Sequence, residues 1–86
     1  MGLDSVELVM EAEEHFEIEI ANSEAEAIRT VGELRDLVCK KLIANGQRAN
    51  PEVILNEVID ITSKITGIKK STIGPNSRFI EDLEID

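Results

Sequence analysis

Carboxylates are the commonest groups in this chain with chemistry to offer, and they are crowded into one run. Between Met1 and Glu26 stand Asp4, Glu7, Glu11, Glu13, Glu14, Glu17, Glu19, Glu24 and Glu26, with no Lys or Arg among them. Adjacent acids such as Glu13–Glu14 and Glu81–Asp82 can attract divalent cations loosely, but they lack the spacing of a dedicated calcium loop. His15 is the only histidine, and Glu11 stands four residues before it, a helical spacing that could ligate a metal weakly. A solvated histidine is the simpler reading, because no second His or Cys is near in sequence. Cys39, the only cysteine, lies between Val38 and Lys40 in an apolar helical stripe, and nothing beside it forms a nucleophile pair. The five glycines form no phosphate-cradling motif. No enzyme active site emerges.

The placement of charge says more than the formal net value of -9. Every one of the nine basic residues lies between Arg29 and Arg78, and the residues that follow add Glu81, Asp82, Glu84 and Asp86 unopposed. Such a field repels nucleic acid and anionic lipid and steers basic protein surfaces toward it. A merely solubilising face is the plainer alternative. Eighty-six residues make one domain, near the lower limit for a core without staples. Phe16 and Phe79 are the only aromatics, so Leu, Ile and Val must do the packing. A single cysteine excludes an internal disulfide and fits a reducing compartment. No window reaches the apolar length of a membrane span and no signal peptide precedes Leu3, so the expected location is the cytoplasm.

The elements that must position these groups are helical. Asp4 or Ser5 can cap a helix running to about Phe16, with Leu3, Val6, Val9 or Met10, and Phe16 at helical spacing and Glu7, Glu11 and Glu14 on another stripe. The like-charged pairs Glu7–Glu11 and Glu13–Glu17 each cost a few tenths of a kcal/mol of helix stability, on the order of 0.3, unless basic partners approach. Glu17-Ile18-Glu19-Ile20 alternates too briefly for a strand and reads as the helix exit, with Ile18 and Ile20 on opposite sides. Asn22 or Ser23 caps a short piece through about Ala27. Thr30-Val31-Gly32-Glu33 has capping-box spacing and opens a helix to about Ala44, its stripe Val31, Leu34, Leu37 or Val38, and Leu42. Asn45-Gly46 stops it. Residues 45–50 are polar and turn-rich, without an apolar anchor, and read as a linker. Asn50 caps and Pro51 starts a helix to about Thr66, closed by Gly67, with Val53 or Ile54, Val58, Ile61 and Ile65 inward. A long loop to Asp86 follows, anchored by Ile68, Ile73, Phe79 and Leu83. Four unequal helical pieces and no credible sheet predict a small all-α, four-helix bundle.

With the order rotated so that residues 51–86 precede Leu3, the chain resembles an acyl carrier protein along nearly its whole length. The family's first helix ends in Gly and a hydrophobic residue, here Gly67-Ile68. Its long loop closes on Phe-x-Glu-Asp-Leu, here Phe79-Ile80-Glu81-Asp82-Leu83. An Asp-Ser-Leu element then opens an acidic recognition helix containing Val-Glu-Leu-Val-Met; Asp86, Leu3 and Val6-Glu7-Leu8-Val9-Met10 match those places. Glu13-Glu14-His15-Phe16 and Ile18-Glu19-Ile20 match the helix end, and 25–34 resembles the third helix and the entry to the fourth. The resemblance implies an acyl-carrier bundle with rotated helix order, cut at the attachment-serine loop. Residues 3–44 would hold the recognition helix, the short helix and the one after it, 45–50 the linker, and 51–86 the family's first helix and long loop.

The same resemblance implies a 4'-phosphopantetheine arm on serine, attached by a phosphopantetheinyl transferase, whose thiol carries acyl thioesters among the basic docking surfaces of fatty-acid or related synthesis enzymes. Counting back from Phe16 puts the family serine at Gly2. Ser5 satisfies the looser Gly-x-Asp-Ser pattern in Gly2-Leu3-Asp4-Ser5-Val6, about 4.5 Å further along the helix. Helix capping or a plain surface hydroxyl is its alternative role. Docking contacts implied by the family are Asp4, Glu7, Glu13, Glu14, Glu26 and Asp86; Val6, Met10 and Ile20 are candidates for apolar contact or the acyl cavity, with plain core packing as their alternative. No catalysis and no metal are implied. A monomer is expected, with a dimer through the 81–86 loop as the alternative. An acidic helical interaction module, or an engineered permuted scaffold without the attachment serine, is the rival reading.

Overall fold

The computed structural model describes residues 3–83, with side chains from Ser5 onward. Four α-helices follow one another: α1 (Leu3–Phe16), α2 (Asn22–Ala27), α3 (Val31–Ala44) and α4 (Pro51–Thr66), with a short 3-10 turn at Lys70–Thr72. Helix α4 packs against both α1 and α3. No strand occurs among the described residues; Thr30 and Arg78 make an isolated antiparallel bridge. The fold is an all-α bundle of four helices, as the periodicities predict.

Local signals account for most helix ends. Thr30 Oγ1 accepts from the Glu33 N–H at 3.1 Å while Glu33 Oε1 accepts from the Thr30 N–H at 3.0 Å, a reciprocal cap on α3. Asn50 Oδ1 accepts from the Glu52 N–H at 3.0 Å, Pro51 occupies the first turn of α4, and Gly67 closes the helix at φ 76°. The ends of α1 and α2 differ from expectation. Helix α1 already includes Leu3, so Asp4 and Ser5 lie within its first turn and neither precedes it as a cap. Ala21, not Asn22 or Ser23, occupies the cap position of α2, and its N–H donates to Glu24 Oε1 at 3.0 Å.

One core draws on α1, α3, α4 and the C-terminal loop. Its α1 residues are Leu8, Ala12 and Phe16, with Val9 half-buried, while Val6 and Met10 are exposed. The stripe expected through Val6 and Met10 is therefore turned away from the core. Both ridges are apolar, and α1 buries the one containing Ala12, which is fully buried. Val38 and Ile54 take the buried places in α3 and α4, and Val53 faces solvent. Ile18 and Ile20 are both buried rather than on opposite sides. Glu17 adopts φ 55°, the Ile18 N–H returns to the Glu13 carbonyl at 3.1 Å, and the Ile20 N–H donates to Glu13 Oε2 at 2.9 Å. This hooked chain lacks a strand's alternation, so both side chains turn inward. In the linker, Ala49 is half-buried against the core and supplies the apolar contact that the sequence does not announce.

The loop after α4 is clipped to the start of α3. The Val31 N–H donates to the Ser77 carbonyl at 3.0 Å, the Gly32 N–H to the Pro75 carbonyl at 2.8 Å, and the Phe79 N–H to the Arg29 carbonyl at 2.9 Å. The first two satisfy orphan donors of a helix N-terminus with backbone from another segment, and in the third the loop donates back to the residue before the cap. Ile73, Phe79 and Leu83 are buried below them, as expected of anchors, and Ile68 is half-buried.

Candidate functional site

Helix α1 presents an acidic and apolar outer face. Val6, Glu7, Met10, Glu11 and Glu14 line a shallow depression of about 330 Å³. Met10 is 56 % exposed and Val6 41 %, high values for apolar side chains flanked by acids. Core packing is thereby excluded for these two and retained for Ile20, which is buried.

The carboxylates of this region divide by what they touch. Glu7, Glu14 and Glu26 are exposed and make no ion pair among the described residues. Glu11 faces Lys64 of α4 at 3.7 Å, which relieves the Glu7–Glu11 repulsion from outside the helix. Glu13 is half-buried and its carboxylate holds the Ile20 N–H, so one oxygen is committed to ending α1. His15 Nε2 meets Glu57 Oε1 of α4 at 3.2 Å, and its ring lies edge-on to Phe16 with centroids 4.8 Å apart. Among the described residues no three His, Cys, Asp or Glu side chains converge as a metal site.

Ser5 sits half-buried in the first turn of α1, the one hydroxyl of that helix, and has a partner within the chain. The Asp4 backbone belongs to the same turn; the Asp4 side chain, Gly2 and Asp86 lie outside the described residues. Glu26 is apart from the α1 face. With Ile28, Arg29, Phe79, Ile80 and Glu81 it lines a second depression of about 320 Å³, where the loop crosses the α2–α3 junction. Ile80, 71 % exposed, is a surface residue that helical periodicity does not single out. Residues 79–83 form a turn in which Phe79 and Leu83, four apart, take the buried side and leave Ile80 outside it.

Asp82 is engaged with its own loop. Its Oδ2 accepts from the Arg78 N–H at 2.8 Å and from Arg78 Nε at 3.1 Å, while Oδ1 accepts from the guanidinium at 3.1 Å. The Arg78 side-chain hydrogen bonds, joined by the backbone N–H, hold the Asp82 carboxyl below its ordinary value. A depressed carboxylate stabilises the folded loop above the ordinary aspartate pKa, and that contribution disappears as pH falls through the lower folded value. A carboxyl-carbon NMR titration should therefore place the Asp82 midpoint below that of a free aspartate. A midpoint at or above it would mean that the clamp is open in solution. Glu24 is lowered in the same way, first by its contact with Lys41 at 2.8 Å.

Comparison with known proteins adds a second line. No family model matches the chain and no solved structure matches it. Among curated sequences, it is 51 % identical over 44 residues to the acyl carrier protein of Picosynechococcus, covering 51 % of this chain and 54 % of that protein. The acyl carrier protein of Buchnera aphidicola is 54 % identical over 40 residues, 46 % of this chain and 50 % of its own length. That of Thermosynechococcus vestitus is 48 % identical over 43 residues, 50 % and 53 % of the two chains. The chain spans about half the length of the curated relatives it matches. Over that half it is similar to acyl carrier proteins, and its helical bundle is consistent with theirs.

Proposed function

We propose that this chain is an acyl carrier domain with its segments in rotated order, carrying acyl thioesters and docking basic enzyme surfaces through α1. The observation that supports it most is the outer face of α1, where Glu7 and Glu14 make no ion pair among the described residues and flank exposed Val6 and Met10. Solubility alone calls for charge and gives no reason to expose Met10 and Val6 between the acids. Two further observations agree. The rotated reading requires the 51–66 helix to lie against α1, and α4 does so. An unrotated comparison of a rotated chain can also follow only one side of the join, which accounts for matches covering about half of each protein.

Ser5 is the candidate for the 4'-phosphopantetheine arm, whose thiol would carry the acyl group when attached. The first turn of α1 suits such a phosphodiester, because its N–H groups lack intrahelical partners and the helix dipole favours negative charge there. Phosphopantetheinyl transferase and acyl-chain synthesis enzymes with basic surfaces are the proposed partners. Asp4, Glu13, Glu26 and Asp86 remain candidate contacts around Glu7 and Glu14, and the cytoplasm is the proposed setting. No helix among the described residues is long and apolar enough to cross a membrane.

The test is intact mass and a peptide map after incubation with coenzyme A and a broad-specificity phosphopantetheinyl transferase. One phosphopantetheine on Ser5 supports the carrier reading. An unchanged mass favours the second reading, an acidic interaction module without a prosthetic group, which rests on glycine at position 2 where the family serine would fall. Docking can be tested separately. Changing Glu7 and Glu14 together to lysine should slow association with a basic partner by about tenfold at low salt, with the difference shrinking as salt rises. An unaltered association rate at low ionic strength would remove this face from the docking surface.

A further inference from the structure

The bonds that hold this bundle together fall into two sets, divided at residues 45–50. Within residues 3–44, Glu24 binds Lys41 and Glu13 holds the Ile20 N–H; within 51–83, Lys70 meets Asp60 and Arg78 meets Asp82. A further set of contacts crosses the divide. The three backbone bonds clipping the loop to α3, the Glu11–Lys64 and His15–Glu57 pairs, and the packing of α4 on α1 and α3 all join one half to the other. The linker's hydrogen bonds do not join them. Asn45, Gly46 and Gln47 donate their N–H groups to carbonyls at the end of α3, and Asn50 caps α4 through its side chain and carbonyl. Each end of the linker is thus tied to its own helix, and Ala49 packs against the core.

We infer that the surface joining residues 3–44 to 51–83 also accepts the matching half of a second copy of this chain, by exchange across the 45–50 hinge. An opened chain keeps both helix caps and loses only contacts that a second opened chain restores in the same geometry. The polar pairs are directional: Glu11 and His15 on α1 meet Lys64 and Glu57 on α4, so they favour seating of the incoming half in the native register. A short linker holds the two halves at an effective concentration of about a millimolar, which sets the protein concentration where exchange competes with closure. This inference stands apart from the carrier reading, because it uses only contacts between the two halves.

Complementation tests it. Val38→Asp places a charge at a fully buried site of the first half, and Val58→Asp does so in the second. Each full-length variant alone is expected to be unfolded, since an unpaired buried carboxylate is strongly disfavoured. In an exchanged heterodimer one bundle combines the two undamaged halves. Mixing the variants should then recover about half the wild-type helical signal, with the mass of a dimer. Wild-type protein refolded at about millimolar concentration should likewise contain a dimer by light scattering. A mixture no more helical than the sum of its parts, or a wild-type sample that is monomeric after such refolding, would overturn the inference.

Discussion

Phe79→Ala will lower the unfolding free energy by about 3–5 kcal/mol, measured by urea denaturation followed by helical ellipticity. Native stability of about 0.05–0.15 kcal/mol per residue puts a domain of this size at about 4–13 kcal/mol, so that loss is a large fraction of the total. Phe79 is one of only two aromatics and is 7 % exposed. Its ring lies between the core and the depression over the α2–α3 junction, and its own N–H is bonded to the Arg29 carbonyl. Removing the ring leaves a cavity under a segment held by three backbone bonds, so the loop cannot simply settle into the space. The neighbouring Ile80→Ala is the control. Ile80 is 71 % exposed and its truncation should change stability by about 0.5 kcal/mol at most. A Phe79→Ala loss below about 1 kcal/mol would mean that the ring is not packed as described.

The contrast between adjacent Phe79 and Ile80 also marks where sequence reasoning stops. Caps are local chemistry, and those at Thr30–Glu33, Asn50–Pro51 and Gly67 were legible because the residues involved lie within three positions of each other. The buried face of α1 was less so. Val6, Leu8, Val9 and Met10 spread over more than half of the way around the helix, and periodicity alone cannot choose which part of that arc is buried. Ala12 decides the matter with 0 % exposure, yet a small residue adds little to an apolar stripe. The acids of the docking face were readable as types and spacing, but not their division of labour. Glu13 ends a helix, Glu11 meets Lys64, and Glu7 and Glu14 make no ion pair among the described residues; those roles depend on residues up to 53 positions away. The clip between loop and α3 is backbone to backbone and leaves almost no trace in side-chain pattern. Its one trace is a glycine inside the first turn of a capped helix, where nearly any other residue would favour the helix more.

That glycine carries the second large effect. Gly32→Ala will destabilise the fold by about 1–2 kcal/mol, although alanine is the better helix former. A Cβ at Gly32 would stand 2.8 Å from the Pro75 carbonyl oxygen and 3.4 Å from Pro75 Cβ. The obstacle is backbone, fixed on one side by the Gly32–Pro75 bond and on the other by the Val31–Ser77 bond at 3.0 Å, so the chain must move as a unit. Overpacking of this kind costs about 1–3 kcal/mol. The helix-propensity gain of alanine over glycine is at most about 1 kcal/mol, and it is smaller in a first turn than in an interior. The clash therefore wins. Gly74→Ala supplies the comparison, because nothing lies within 4 Å of its Cβ position and its φ is not positive; it should stay within about 0.5 kcal/mol of the parent protein. Amide exchange separates a local from a global loss. If the loop unclips, the amides of residue 32 and Phe79 should exchange faster while those of α4 keep their protection relative to global unfolding. A Gly32→Ala protein as stable as its parent, with those two amides still protected, would mean that loop and helix do not meet at this distance.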